Sequence, residues 1–256
     1  MPVSIKSQQL DSRLAVRAAA NGYSIMSRAL ERLSSGLSIN RASDDPAGLV
    51  ISEQLRSRIA SLNQEIANIS QAIGKYQSAS SDVGELRSQL TDLRSLAVGA
   101  ANAGGNSETS QQAYAAAANQ LVDSYNRAIK NAHYNGANTL DGSEGSLADI
   151  SFLKEIDLSS PEAAAQALEQ IDTAATGLDQ VQMNLAATQK YELENRQSSL
   201  QVTRENLISA ESQLRDADYG EEYSLLIKGL IQTKAALAMQ AFSRVNARLI
   251  SDLLGK

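Results

Sequence analysis

Three carboxylate pairs and one imidazole are the side chains whose types and spacing could do acid–base chemistry here: Asp44 with Asp45, Asp216 with Asp218, Glu221 with Glu222, and the sole histidine, His133. Two neighbouring carboxylates could divide the roles of general acid and general base. Each pair, however, stands where a helix is expected to begin. A carboxylate there accepts hydrogen bonds from the free amides of the first turn and meets the positive end of the helix dipole, so capping accounts for all three. His133 lies beside Tyr134-Asn135-Gly136, a turn signal, and one imidazole builds neither a metal cluster nor a Ser-His relay without unusual partners. The 256 residues include no cysteine, which removes thiolate sites and disulfides. The residues therefore read as those of a non-enzyme with no catalytic, cofactor-binding or metal-binding positions.

The elements that carry these residues are more informative than the residues themselves. Leu55, Ile59, Leu62, Ile66, Ile69, Ile73 and Tyr76 follow a 4-3 spacing, answered far downstream by Leu193, Leu200, Leu207 and Leu214. An apolar residue every 3.5 positions makes a seam that is buried only by supercoiling against another helix, so the first half of the chain must pair with the second. Composition agrees with a thin helical structure. The chain is 43% hydrophobic but only 4% aromatic, with no tryptophan, and thick globular cores lean on aromatic area where helical rods pack Leu, Ile and Ala. Its two internal prolines, Pro46 and Pro161, follow Asp44-Asp45 and Ser159-Ser160, where a first helical turn tolerates them. The expected fold class is mainly α: a long antiparallel coiled-coil rod with paired N- and C-terminal helices and at most a small β-hairpin.

Along the chain, residues 1–40 carry a helical stripe at Leu10 and Leu14, then at Met26, Leu30, Leu33 and Leu37, with Asn21-Gly22 as a weak point between. From Asp45 and Pro46 a helix should run to about Gly99, with a stammer in its heptads at Val83 to Leu86. After the loop ANAGGNSETSQ, a second helix spans roughly Thr109 to Asn131 and ends in HYNGANTLDGSEG, whose Asn-Gly and Asp-Gly pairs signal tight turns and leave room for a small hairpin. LADISFLKEIDLSS is the one plausible strand region. From Pro161 a long helix carries Ile171, Leu178 and Leu185 and then, after one added residue, Leu193 onward. Asp218 and Glu221 have capping-box spacing for a last helix through Leu226, Leu230, Leu237, Val245, Leu249 and Leu253.

Net charge is −6, unevenly spread. Residues 1–40 sum to +3, residues 223–256 to +4 and the middle to −13. These charges are dispersed along amphipathic helices rather than clustered, which argues against nucleic-acid binding. No apolar run approaches the length that spans a bilayer, and the N-terminal stretch lacks the uninterrupted apolar segment of a cleavable signal peptide. Each terminal helix is amphipathic and about thirty residues long, and two alone bury too little surface to offset their ordering entropy comfortably. They should fold stably against partners. Copies of the same ends in a head-to-tail contact that does not close would give an open helical filament.

At LERLSSGLSINRASDDPAGLVISEQLRS, residues 30–57, the chain resembles bacterial flagellin, with its leucine-arginine-leucine-serine-serine-glycine stretch and double aspartate. LRSLAVGAAN, YNGANTLDG and ENLISAESQLRDADYGEEYSLL are similar to further family segments, in family order. The resemblance implies a structural subunit of the bacterial flagellar filament, exported through the flagellar type III apparatus, secreted and extracellular. It implies an inner-tube domain from residues 1–40 plus 223–256, packed through the leucine stripes above with Val245, and a helical rod domain over 41–222 with a turn region at about 134–160. Only about twenty residues separate LDG from Pro161, so no variable outer domain is expected. The implied partners are the chain itself as a helical homopolymer, a flagellar export chaperone, and the hook-associated junction and cap proteins, with no nucleic acid and no membrane. In the segment that a Toll-like innate receptor recognises, the family has an arginine and a glutamate where this chain has Asp92 and Ser95, while Arg94 and Leu96 match; weak receptor activation is expected. A hook–filament junction protein shares an SDDP element, and a cytosolic coiled-coil adaptor would share the heptads. The serine-serine-glycine block fits a filament subunit better.

Overall fold

The computed structural model describes the backbone of residues 2–102, 107–150, 153 and 156–254, and their side chains except in 2–9, 11 and 246–254. The order is α1 (Pro2–Ser35), α2 (Pro46–Ala101), α3 (Glu108–Asn131), β1 (His133–Tyr134), β2 (Ala137–Asn138), α4 (Pro161–Ala187), a π-helical segment (Thr188–Glu194), α5 (Asn195–Arg215) and α6 (Tyr219–Leu254). The fold is mainly α, and its described strands form one two-stranded antiparallel ladder.

The helix starts are made as their sequences dictate. Asp45 Oδ1 accepts from the amides of Ala47 and Gly48 at 3.0 Å each, with Pro46 in the first turn of α2. Ser107 caps α3 through Ser110 N at 3.2 Å, and Ser160 caps α4 through Ala163 N at 3.1 Å with Pro161 following. Asp218 Oδ1 accepts from Gly220 N at 2.8 Å and Glu221 N at 3.2 Å at the start of α6.

The chain divides into two compact units, residues 1–61 with 204–256, and residues 62–203. In the second, α2, α3 and α4 enclose a core of Val83, Leu86, Leu90, Leu93, Val122, Tyr125, Ile129, Ile171, Leu178 and Leu185. Burial pushes the Tyr125 hydroxyl up to about 12. Between α2 and α4, Arg87 pairs with Asp179 and Arg94 with Asp172, one heptad apart on each helix in antiparallel sense.

The strands form a small hairpin around the Asn-Gly pair of HYNGANTLDGSEG and lie earlier than LADISFLKEIDLSS. Asn135 (φ 50°) and Gly136 (φ 84°) form the left-handed turn between β1 and β2, a conformation Asn and Gly adopt at low cost. The described residues of 147–160 hold no strand, only an isolated bridge between Asp149 and Asp141. Asn138 is the keystone of this region. Its amide donates to the carbonyls of Ile129 and Lys130 at the end of α3, and its oxygen accepts from Leu140 N and Asp141 N.

Two irregularities in the heptads are resolved. On α2 the buried positions run Ala79, Val83, Leu86, Leu90, Leu93, Ala97 and Ala100, so two three-residue steps meet at Tyr76 and the stammer lies there rather than at Val83 to Leu86. Ala79, fully buried, is a seam residue too small to announce itself in sequence. On the partner strand of the coil, the added residue between Leu185 and Leu193 falls in the π-helical segment. A π-turn takes up one residue without adding length, which returns Leu193 and Leu200 to the seam. Without it, the seam would receive Glu192 and Ser199. Gln182 donating to Ser80 at 2.7 Å and Gln197 to Ser70 at 2.8 Å bracket both irregularities.

Candidate assembly surface

In the first unit α1 and α6 lie antiparallel, and their contact is made by small residues. Ala15, Gly22 and Ala29, spaced by sevens, are buried on α1, and Glu222, Gly229, Thr233 and Ala236 are buried on α6, with Gly22 set against Gly229 and Thr233. A Cβ on Gly22 would stand 2.3 Å from Thr233 Oγ1 and 3.0 Å from Gly229 O; one on Gly229 would stand 2.9 Å from Gly22 O. The two backbones approach as closely as glycine allows. Asn21-Gly22 is thus no break: α1 runs through it, because Gly22 is buried at the crossing.

Of the residues expected to pack, most of those whose side chains are described lie on the outside of this pair. Leu10, Leu14, Leu30, Leu230, Leu237 and Val245 are exposed, Leu14 by 54%. Met26, Leu33, Leu37 and Leu226 are half-buried. The side chains of Leu249 and Leu253 lie outside the described residues. Tyr23, Tyr219, Tyr223, Ile231, Met239 and Phe242 add to the exposed apolar surface, Phe242 at 73%. From Ala235 to Phe242, α6 carries apolar residues on nearly every side, a pattern found where a helix is surrounded. The seam residues Ala15, Gly22 and Ala29 form no leucine stripe; their heptad spacing, with Gly229 in mid-helix, is the sequence signal that marks them.

At the end of this pair Arg32 Nη1 donates to Glu222 Oε1 at 2.8 Å, and Glu222 is buried. Of the other carboxylates weighed for chemistry, Asp44, Asp45 and Asp218 accept from backbone amides, and Asp216 Oδ2 accepts from Ser212 Oγ. Asp44 Oδ2 accepts from the amides of Arg41 and Asn40 at 3.0 and 3.1 Å, which hold its carboxyl below the usual range.

Of the coiled-coil positions, Leu62 and Ile69 are buried, while Leu55, Ile59, Ile66, Ile73, Leu193, Leu200 and Leu207 are half-buried and Leu214 is exposed. In the segment compared with the receptor-binding region, Asp92, Arg94 and Ser95 are exposed and Leu96 is half-buried. Arg94 Nε donates to Asp172 at 2.8 Å, which raises its affinity for the proton, and Ser95 Oγ donates to Asp92 O at 2.8 Å.

The sequence has relatives among flagellar proteins. The flagellar filament 30.7 kDa core protein of Treponema maltophilum is 28% identical over 260 residues, spanning 88% of this chain and 90% of its own. A flagellin of Halalkalibacterium halodurans is 32% identical over 249 residues, spanning 89% and 91%. A crystal structure of Bacillus cereus flagellin aligns with 55% of this chain and 88% of its own at 19% identity and a TM-score of 0.40. The family model of the bacterial flagellin N-terminal helical region matches residues 7–145 and that of the C-terminal helical region matches residues 168–253, so the chain belongs to the bacterial flagellin family.

Proposed function

We propose that this chain is a structural subunit that self-assembles into the bacterial flagellar filament for swimming. The observation that carries the reading is the division of labour in the α1–α6 pair. Small residues make the close crossing, and Leu10, Leu14, Leu30, Leu230 and Leu237 with Tyr223, Ile231 and Phe242 stand outside it. So much apolar surface on two helices is unfavourable in a solitary chain and is covered when copies pack side by side. The terminal helices then form the filament's inner tube through Leu10, Leu14, Met26, Leu30, Leu33 and Leu37 with Leu226, Leu230, Leu237, Val245, Leu249 and Leu253. Residues 41–222 form the helical rod domain, with Leu55 to Ile73 and Leu193 to Leu214 as its coiled-coil core.

Coupling of folding to assembly also fits export as a partly unfolded chain through the flagellar type III apparatus, with a chaperone covering the C-terminal helix until then. Hook-associated junction and cap proteins bound the filament, which lies outside the cell. Among the described residues no helix is long and apolar enough to cross a membrane. Family membership points to a structural protein rather than an enzyme. Activation of the innate receptor is weak, because Asp92 and Ser95 replace the family's arginine and glutamate and Arg94 is engaged by Asp172.

The test is electron microscopy of the full-length chain at rising concentration, seeded with sheared filaments, beside chains lacking residues 1–30 or 227–256. Long uniform filaments from the full chain alone are expected. Filaments that persist after either deletion would overturn the inner-tube assignment, and a full chain that stops at short rings would point to a junction protein.

A further inference from the structure

With no cysteine in the chain, its oxidisable sulfur is methionine. Three methionine side chains lie among the described residues, in different surroundings. Met26 is half-buried in the α1–α6 pair, where it backs onto Gly229. Met183 on α4 is 57% exposed and Met239 on α6 is 62% exposed. Met239 stands within the nearly all-apolar stretch from Ala235 to Phe242, with Ala235 and Phe242 one turn to either side, Gln240 next in sequence and half-buried Ser243 one turn on.

We infer that Met239 is an oxidation-sensitive assembly residue: in the free chain a peroxide oxidises its thioether, and the sulfoxide blocks addition of that subunit to a filament. The inference rests on the proposed filament reading. In the step itself, the sulfur lone pair attacks one peroxide oxygen, an S–O bond forms as the O–O bond breaks, and the departing hydroxide takes the proton from the transferred oxygen and leaves as water. Sulfide becomes sulfoxide by loss of two electrons, and hydrogen peroxide is reduced by the same two. The product has replaced a flexible apolar group by a strongly polar one. On α6 that polar group would have to be buried against a second copy beside the apolar Ala235 and Phe242, and moving a polar group from water into apolar surroundings opposes association. The same geometry makes oxidation a footprint of assembly, because a copy seated on this face shields the thioether.

The test uses the full-length chain and hydrogen peroxide, with each methionine followed by peptide mass spectrometry and growth followed from seeds. In the free chain Met239 and Met183 should oxidise faster than Met26. Peroxide treatment should raise the critical concentration for growth by about tenfold or more, an effect of the size expected for moving one polar group into apolar surroundings. The ratio of treated to untreated growth, taken within each variant, should return to near one for Met239→Leu and stay depressed for Met183→Leu. In intact filaments Met239 should oxidise far more slowly than in the free chain. Unimpaired growth of a chain fully oxidised at Met239 would overturn the inference, as would equal loss in Met239→Leu. Should that variant not grow, the wild-type footprint decides, and equal oxidation rates of Met239 in filament and free chain overturn the inference. Failure of the filament reading is seen separately, in untreated chain that does not grow.

Discussion

Arg32 and Glu222, 190 residues apart in sequence, meet at 2.8 Å and tie the last turn of α1 to the first turn of α6. Glu222 is only 4% exposed, and its Oε2 has no partner, so its carboxylate depends on the arginine for compensation. Arg32→Ala should therefore destabilise the first unit by about 1–3 kcal/mol, since it leaves a buried charge unpaired. Replacing both residues by apolar ones, Arg32→Met with Glu222→Leu, should cost less than Arg32→Ala alone. Thermal melts of the three chains by circular dichroism check the order; a double variant as unstable as the single one would refute it.

Glycine substitutions should separate the helix crossing from ordinary helix interior. Gly22→Ala gains helix propensity but drives its methyl into Thr233 and the Gly229 carbonyl, and a net loss of about 1–3 kcal/mol is expected. Thr233→Ala should rescue only part of it, because backbone atoms remain 3.0 Å from the new Cβ. Gly84, in mid-helix on α2, faces open space, with nothing within 4 Å of the position a Cβ would take, so Gly84→Ala should stabilise by about 0.5–1 kcal/mol. Chemical denaturation measures all three.

The π-turn predicts an asymmetry between deletions. Removing Lys190 restores seven-residue spacing between Leu185 and Leu193, so the helix can run on as regular α with the same leucines in the seam. Its cost should stay within about 1 kcal/mol, near the value of the exposed Lys190–Glu194 pair it also removes. Removing Gln180 instead leaves only six-residue spacing between Leu178 and Leu185, so the stretch around Leu185 turns by about 100° before loss of the π-turn recovers the seam at Leu193, and the cost should be larger. Helical content and melting temperature of the two deletions distinguish the cases, and a tolerated loss of Gln180 would contradict the register argument.

Acid should weaken the fold in a definite window. The amides of Arg41 and Asn40 lower the Asp44 carboxyl, Arg215 lowers Glu53, Ser143 lowers Asp141, Ser159 lowers Asp157, and Lys190 with Gln189 lowers Glu194. A group whose folded value is depressed contributes stability above its ordinary value, about 4, and loses it as pH falls through the depressed one. Asp82, raised by burial and by Glu85, acts in the opposite sense. Melting temperature should be nearly flat from about pH 7 to 5 and fall below about pH 4, with a shallower fall in Asp44→Asn. An unchanged slope in that variant would show that the Asp44 turn does not contribute.

Much of this fold is legible in the chain because it is local or periodic. Asp45-Pro46, Ser160-Pro161 and Asp218 start helices through contacts within one turn, and the Ile59–Ile73 and Leu193–Leu207 runs declare a paired coil because nothing else buries a 3.5-residue repeat. Even the extra residue before Leu193 is visible as a count, with the π-turn as its physical form. Three matters needed the tertiary structure. The choice between a hairpin at the Asn-Gly pair and a strand in residues 147–160 fell to His133–Tyr134 and Ala137–Asn138, because the Asn135-Gly136 turn and the hydrogen bonds of Asn138 to the end of α3 hold that hairpin in place. The stammer settled at Tyr76 because Ala79, with hardly any hydrophobic signal, fills a seam position. Gly22 joined the close crossing with Gly229 instead of breaking α1, since a residue without a side chain is invisible to hydropathy and is valuable only when another backbone comes near. Which apolar residues a helix turns inward is decided by the partner's shape, and here the crossing buried the small ones and left the leucines half-buried or exposed.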